Sequence, residues 1–288
     1  MAGVREIRGR INSVKSTQQI TKAMKMVSAA KLRRAQSGID SMQLFARRCR
    51  EIMARIPPAD MAEPLLQPRE TVNRVCYVLF VGNRGLCGSY NQAVVRHAQA
   101  LVDSEEHEAF VIVVGRWGQD VIRDSGLPVK TTFAEFGDVP AMEDAVHLAE
   151  YLKKLYLDGE ADQVQLVYQH YRSALQQTPV DLQLLPARHE EAEGEERTPY
   201  IFEPSAQAVL HSTAELYVKS VVFSVLQEAK VGEQAARMTA MTAATDATAE
   251  LIDELSLELN RARQAAITTE ISEIVGGANA LRQGTDRA

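Results

Sequence analysis

The sequence predicts an α/β protein in which two long terminal helices form an antiparallel coiled coil around a central Rossmann-like α/β domain. Three observations support this fold class. Residues 1–56 contain no proline and repeat apolar residues at spacings of three and four. Residues 205–288 show the same pattern and also lack proline. Between them, over residues 70–200, strand-like and helix-like segments alternate, which is typical of a largely parallel sheet.

The first segment, residues 1–56, is predicted to be one amphipathic helix that ends at Pro57 and Pro58, because proline cannot continue a helix. At about 1.5 Å per residue it would be roughly 80 Å long. The expected apolar positions are Ile7, Ile11, Val14, Ile20, Met24, Val27, Ile39, Met42, Phe45, Cys49, Ile52 and Ile56.

The last segment, residues 205–288, repeats small and apolar residues at helical spacing as far as about residue 280. Ordinary globular helices run 8–20 residues, so a pattern of this length indicates a coiled coil or helical rod. Both helices are too long to stay within a compact domain of about 130 residues, whose radius of gyration is about 14 Å. The simplest arrangement pairs them antiparallel.

The middle segment alternates between strands and helices, as a Rossmann-like sheet requires. Helices are predicted after the first and third strands, at 91–103 and 141–159, and the segment GQDVIRDSG (118–126) follows the second strand. The predicted strands are 75–82, 109–115, 129–136, 163–172 and 180–187.

Charge is distributed unevenly along the chain. Residues 1–55 carry a net charge of +10, with no acidic residue between Ile7 and Ile39, whereas residues 56–206 carry −12. This asymmetry predicts that the first helix faces something negative. One alternative is a nucleic-acid-binding protein with a basic helix and an α/β domain, since Lys and Arg neutralise phosphates. Against it, no aromatic residue lies between 1 and 44.

The sequence FVGNRGLCGSYN at 80–91 is a glycine-rich loop between a strand and a helix, a place where backbone N–H groups can bind phosphate. Its glycines fit neither GxGxxG nor GxxxxGK[ST], so a nucleotide enzyme is the weaker alternative to a tight turn. The six histidines form no HxxxH motif, and the odd number of cysteines indicates neither disulfides nor zinc. We therefore expect no catalytic site, no metal and no cofactor.

Three segments together carry a family resemblance: 17–36, 84–91 (RGLCGSYN) and 233–278. They are similar to the γ subunits of F-type ATP synthases. The resemblance implies a non-catalytic rotor shaft, present once per complex, that couples ion (proton) flow through the c-ring of Fo to ATP synthesis at the β subunits. The implied partners are the α3β3 hexamer, the ε subunit and the c-ring. The implied location is peripheral, on the cytoplasmic side of a bacterial cell membrane, with membrane association only through Fo.

The resemblance also implies roles for individual residues. An apolar tip at 267–281 would turn inside the upper sleeve of the hexamer. In the loop, Arg84 and Cys87 would face β or ε, and at the foot Tyr200 and Glu203 would contact the c-ring or ε. The residues implied to contact β are Met24, Lys25, Arg237, Met238, Arg263, Gln264, Thr268 and Glu270.

Overall fold

The computed structural model describes residues 2–36, 39–56, 63–116, 122, 125–134, 136–137, 140–188 and 201–285. The chain divides into two compact units, which are treated separately below. Residues 1–26 with 241–288 make one unit, and residues 27–240 make the other.

The described secondary structure consists of five helices and five strands. The helices are α1 (Ala2–Gln36), α2 (Ile39–Ala54), α3 (Tyr90–Ser104), α4 (Met142–Leu157) and α5 (Ala206–Thr285). The strands are β1 (Arg74–Phe80), β2 (Glu108–Val114), β3 (Val129–Phe133), β4 (Gln163–Tyr171) and β5 (Gln177–Leu185). The fold class predicted from the sequence is confirmed.

The sheet, which lies in the 27–240 unit, has the strand order β3-β2-β1-β4-β5. Strands β1, β2, β3 and β4 run parallel, and β5 pairs antiparallel with β4. Strand β1 is central and is buried from its second residue onward, which explains why its sequence is a continuous apolar run. The antiparallel edge strand starts three residues before the predicted range and includes Pro179.

Apolar clusters cover both faces of this sheet. On one face α3 packs through Val94, Val95 and Ala98. The other face packs against α2, α4 and the first part of α5 in a larger core. The arrangement has three layers, so the middle of the chain is a Rossmann-like domain in which part of the last helix also forms a layer.

Local signals fix the ends of α4. The Asp144 carboxylate accepts a hydrogen bond from the backbone N–H of Ala141, 2.9 Å away, at the first turn. At the other end Gly159 has φ +72, and Glu160 N–H donates to the Leu155 carbonyl. This is a Schellman motif, for which glycine in the left-handed region is the preferred residue.

Of the N-terminal helix predicted over residues 1–56, the structure describes two parts, α1 and α2, and residues 37 and 38 between them lie outside the described residues. The side chains that α2 buries show where it packs. Ala46, Cys49 and Met53 belong to the main core beside the sheet. The apolar pattern of α2 therefore reflects packing within the α/β domain rather than a coiled-coil seam.

In the unit formed by 1–26 and 241–288, α1 and α5 pack antiparallel. Ile7 and Ile11 pack against Leu255, and Thr21 bonds to Thr245, so the two chain directions are opposed. Within this unit, the buried and half-buried positions of α1 are Val4, Ile7, Ile11, Val14, Gln18, Thr21 and Lys25, together with Met24 beside Lys25. Those of α5 include Met241, Thr245, Thr248, Ile252, Leu255, Leu259, Ala262 and Ala266. Both series alternate steps of three and four, which is the heptad repeat of a left-handed coiled coil.

This register corrects part of the predicted apolar face. Ile20 and Val27 were expected on the buried side, but Ile20 is 58% exposed and Val27 is also exposed. The seam instead passes through Thr21 in one unit and Ser28 in the other, both buried. Small polar residues hold the heptad register here, and the apolar neighbours one position away point to solvent.

Helix α5 contains one stretch that is long and apolar enough to cross a membrane, and 67% of that stretch is buried within the structure. The core helix of a soluble domain has the same composition. The apolar cluster that includes Leu210, Val218, Val222 and Leu226 accounts for this part of α5.

Candidate functional site

The glycine-rich loop predicted as a candidate site lies at the carboxyl end of β1 and leads into α3. Arg84 is exposed, and Leu86 is 64% exposed with φ +61, a conformation that only glycine adopts freely. The next side chain, Cys87, turns inward and is buried. The loop therefore displays one cation and one apolar side chain.

The loop backbone is bound by the domain's own side chains. Gly82 N–H donates to Asn91 Oδ1 at 2.8 Å. Asn83 Nδ2 donates to the Phe136 carbonyl at 2.6 Å, and Asn83 Oδ1 accepts from Arg116 N–H at 3.2 Å. The Gly82 N–H, a group that a phosphate-binding loop would offer, already has a partner.

Burial raises the pKa of the Cys87 thiol above its ordinary value, with the nearby Arg237 charge acting in the opposite direction. Asn91 Nδ2 lies 3.4 Å from the sulfur. A buried, protonated thiol is a poor nucleophile. Cys87 was predicted to face β or ε, but its side chain points into the domain. Its role in contacting a partner stays a prediction.

A charged group on α5 lies directly against this loop. Glu233 accepts from Arg237 Nη2 at 2.8 Å and from Lys230 Nζ at 3.1 Å, and all three side chains are buried. Arg237 also donates to the backbone carbonyls of Arg84 and Gly85. We call Lys230, Glu233 and Arg237 the α5 charge cluster.

Further hydrogen bonds tie the same part of α5 to the sheet. Tyr90 Oη donates to the Ala229 carbonyl at 2.8 Å, and Gln177 Nε2 donates to the Gly232 carbonyl at 3.2 Å. Glu228 accepts from the Tyr171 backbone N–H and pairs with His170. The carboxyl edge of the sheet is thus bonded to α5 over residues 228–237.

The unit of 1–26 and 241–288 holds a second group of the predicted residues. Arg263 and Glu270 line an open groove of about 600 Å³ together with Arg5 and Arg8 of α1. Gln264 and Thr268 are exposed on the same helix, and Thr268 Oγ1 donates to the Gln264 carbonyl. The groove is predominantly cationic, which suits contact with an acidic surface.

The remaining predicted residues have varied environments. Met24, Lys25 and Met238 are half-buried, each within its own unit, and Glu203 is exposed. Tyr200 lies outside the described residues. Their roles in contacting partners stay predictions.

The sequence predicted a role for Arg237 of the α5 charge cluster, facing a partner, but none for Lys230 or Glu233. The sequence does contain a pattern that indicates this cluster. Lys230, Glu233 and Arg237 follow spacings of three and four within an Ala-rich helix, so their side chains share one face. Gly82 opposite them leaves room, since a Cβ there would lie 2.9 Å from Glu233 Cδ.

Among the described residues, no group of three or more His, Cys, Asp or Glu side chains could hold a metal ion. The features that remain are interaction features: a heptad-paired helix, a displayed loop and a cationic groove.

Comparison with known proteins decides the family. The family model described as ATP synthase matches residues 3–281. The ATP synthase gamma chain of Desulfitobacterium hafniense is 46% identical over 283 residues, covering 98% of this chain and 100% of the relative. The chain belongs to the ATP synthase gamma chain family. The gamma chain of Pelotomaculum thermopropionicum is similar at 44% identity, with 98% and 100% coverage.

Solved structures agree on the fold of this family. A chain of the Euglena gracilis mitochondrial ATP synthase (OSCP/F1/c-ring, rotational state 3) superposes with a TM-score of 0.70 at 20% identity, covering 99% of this chain and 96% of that one. A chain of the Tetrahymena thermophila mitochondrial ATP synthase central stalk and c-ring gives 0.58 at 25% identity, with 78% and 99% coverage. These matches do not support the alternative of a nucleic-acid-binding protein.

Proposed function

We propose that this chain is the central rotating shaft of an F-type ATP synthase and catalyses no reaction itself. It turns inside a hexamer of α and β subunits and couples ion flow through a c-ring to ATP synthesis at β. The family relationship supports this proposal over the full length of the chain.

The observation that carries the proposal is the form of the helix pair in the 1–26 and 241–288 unit. Its heptad seam runs on α1 from Val4 to Lys25, and on α5 to Ala266. Beyond Ala266, α5 continues with Ile267, Ile271 and Ile274 exposed. A monomeric soluble protein rarely leaves such a row of apolar side chains open unless a partner covers it. A stiff, two-helix rod with an apolar end suits rotation within a sleeve, where a charged side chain would be desolvated at a cost of several kcal/mol.

The charge distribution supports an acidic partner. The α1 helix has no acidic residue from Ile7 to its end, and an isolated coiled coil normally carries both signs at its flanking positions. We assign the missing acidic side chains to the β subunits. The location we propose is peripheral, on the cytoplasmic side of the cell membrane, with the c-ring and ε at the foot.

Reconstitution tests this function. The purified chain should hydrolyse no ATP, and when combined with α and β subunits it should co-purify with them as a complex with ATPase activity. ATP hydrolysis by the pure chain, or failure to assemble with α and β, would overturn the proposal.

A further inference from the structure

The α5 charge cluster raises a question about Arg237. The family resemblance predicted that Arg237 contacts β, yet its side chain is only 7% exposed. Its Nη2 group lies 2.8 Å from Glu233 Oε1 and 3.0 Å from the Arg84 carbonyl oxygen. Both Nε and Nη2 lie 3.3 Å from the Gly85 carbonyl oxygen. The guanidinium is engaged by the loop and by its own helix.

Glu233 is the anion that holds this guanidinium in place. Its second carboxylate oxygen accepts from Lys230, and a Cβ on Gly82 of the loop would lie 2.9 Å from Glu233 Cδ. Glu233 is the single anion between two buried cations, so removing its carboxylate would leave both cations without a counter-charge in a buried position. The planar fork of arginine also suits simultaneous bonds to a carboxylate and to carbonyl oxygens, which a lysine ammonium cannot reproduce.

The loop that accepts these bonds has a shape it would not keep alone. Leu86 occupies the left-handed region, which is sterically unfavourable for a residue with a Cβ, and its side chain is 64% exposed. Such strain persists when surrounding contacts over-determine the backbone. The carbonyls of the two residues before Leu86 are the ones bonded to Arg237.

We propose that Arg237 and Glu233 are positioning residues that fix the 84–86 loop to α5, so that Arg84 and Leu86 are presented to a partner and turn with the helix. The displayed cation and leucine suit a partner surface that offers acidic and apolar side chains. Arg237 itself does not touch the partner. This inference rests on the proposed function, because the 84–86 loop can turn with α5 only if the chain is a rotating shaft.

The first test uses the purified full-length chain and needs no motor activity. Hydrogen exchange of the loop amides between Gly85 and Gly88 is measured in wild type, Arg237→Ala, Arg237→Lys and Glu233→Gln. Loss of charge-assisted hydrogen bonds should speed exchange about tenfold in Arg237→Ala. Arg237→Lys should give an intermediate rate. If Arg237→Ala does not fold, the Arg237→Lys variant is sufficient for the test. The exposed Arg96→Lys change on α3 is the matched control and should leave loop exchange unchanged. Equal exchange in wild type, Arg237→Lys and Glu233→Gln would overturn the proposal.

The second test uses the assembled complex in vesicles and measures ions pumped per ATP hydrolysed. If Arg237 acts through the loop, Arg84→Ala combined with Arg237→Ala should lower coupling by less than the sum of the two single changes. Effects that add fully would show that Arg237 acts independently of Arg84 and would overturn the positioning role. The exchange result separates this inference from the proposed function. A complex that pumps no ions in wild type refutes the shaft, whereas loop exchange still reports whether Arg237 and Glu233 hold the loop.

Discussion

Thr21 and Thr245 share a hydrogen bond of 2.9 Å across the helix pair, between their hydroxyl oxygens. Both lie at seam positions where coiled coils usually place larger apolar side chains. Thr245 also lies 2.7 Å from the Met241 carbonyl oxygen, and Thr21 donates to the Gln18 carbonyl oxygen. The seam is therefore apolar at Ile7, Ile11 and Leu255 and polar but satisfied at Thr21 and Thr245.

The polar pair predicts a coupled effect on stability. Thr21→Val or Thr245→Val alone should each lower the free energy of unfolding by about 0.5–1.5 kcal/mol, because one hydroxyl loses its partner. The double variant should cost less than the sum, since two valines pack without an unmatched polar group. Denaturant unfolding of the full chain measures the cycle. Strict additivity would show that the hydrogen bond does not contribute.

The buried side chain of Leu255 allows the contribution of the apolar part of the seam to stability to be measured. It is 3% exposed and contacts Ile7 and Ile11, so Leu255→Ala should lower the free energy of unfolding of the helix pair by about 2–4 kcal/mol. Leu257, two residues further on, is 61% exposed and provides the matched control. Leu257→Ala should change stability by less than about 0.5 kcal/mol. Thermal unfolding followed by helix circular dichroism compares the two, and equal losses would refute the assigned register.

The exposed end of α5 predicts a change that appears only in the complex. Ile274→Asp should leave the unfolding free energy of the isolated chain within about 0.5 kcal/mol of wild type, because the side chain is exposed. In the assembled complex it should lower ATPase activity by about tenfold, because the charge would be desolvated by the surrounding subunits. Ile274→Leu is the apolar control and should keep full activity. Unchanged activity of the aspartate variant would contradict a sleeve around this end.

A cluster between α4 and α5 predicts a pH dependence of stability. A hydrogen bond from Lys153 lowers the pKa of the Glu215 carboxyl, despite some desolvation. A carboxyl whose folded pKa is depressed adds stability above its unfolded pKa, about 4.3, and loses it as the pH falls through the folded value.

Glu215→Gln should therefore lower unfolding free energy by less than about 1 kcal/mol at neutral pH, since the pair is partly solvated. The difference from wild type should shrink as the pH falls below the unfolded pKa and vanish only once the pH is below the depressed folded pKa of Glu215. Denaturant unfolding at a series of pH values checks the sign. A gap that widened on acidification would refute the assignment.

Sequence patterns predicted the fold correctly where a run of apolar residues was compatible with only one kind of secondary-structure element. The strand at 75–82 is apolar throughout because β1 is covered on both faces, and a central strand was the only element that fitted. The burial of Ile20 and Val27 was predicted wrongly, because apolar spacings of three and four are compatible with more than one face of the helix. The structure shows that the neighbouring Thr21 and Ser28 are the buried residues.

The candidate site shows the same limit. Arg84 and Leu86 could be found from the sequence, because a loop of small residues after a strand displays what lies between its glycines. The inward direction of the Arg237 side chain could not be found from the sequence, because arginine side chains on helices are mostly exposed. It depends on Glu233 four residues earlier and on two loop carbonyls about 150 positions away in the chain.

Rotation of the chain within an assembled complex tests the central claim most directly. Cys49, Cys76 and Cys87 are buried, and burial raises the pKa of each thiol, so a cysteine at the exposed Glu106 between α3 and β2 can be labelled selectively. A bead is attached through Glu106→Cys to the chain in a surface-held complex with α and β subunits. With ATP present, we expect continued rotation of the bead in one direction. An assembled, ATP-hydrolysing complex whose bead stays fixed or turns equally in both directions would contradict it.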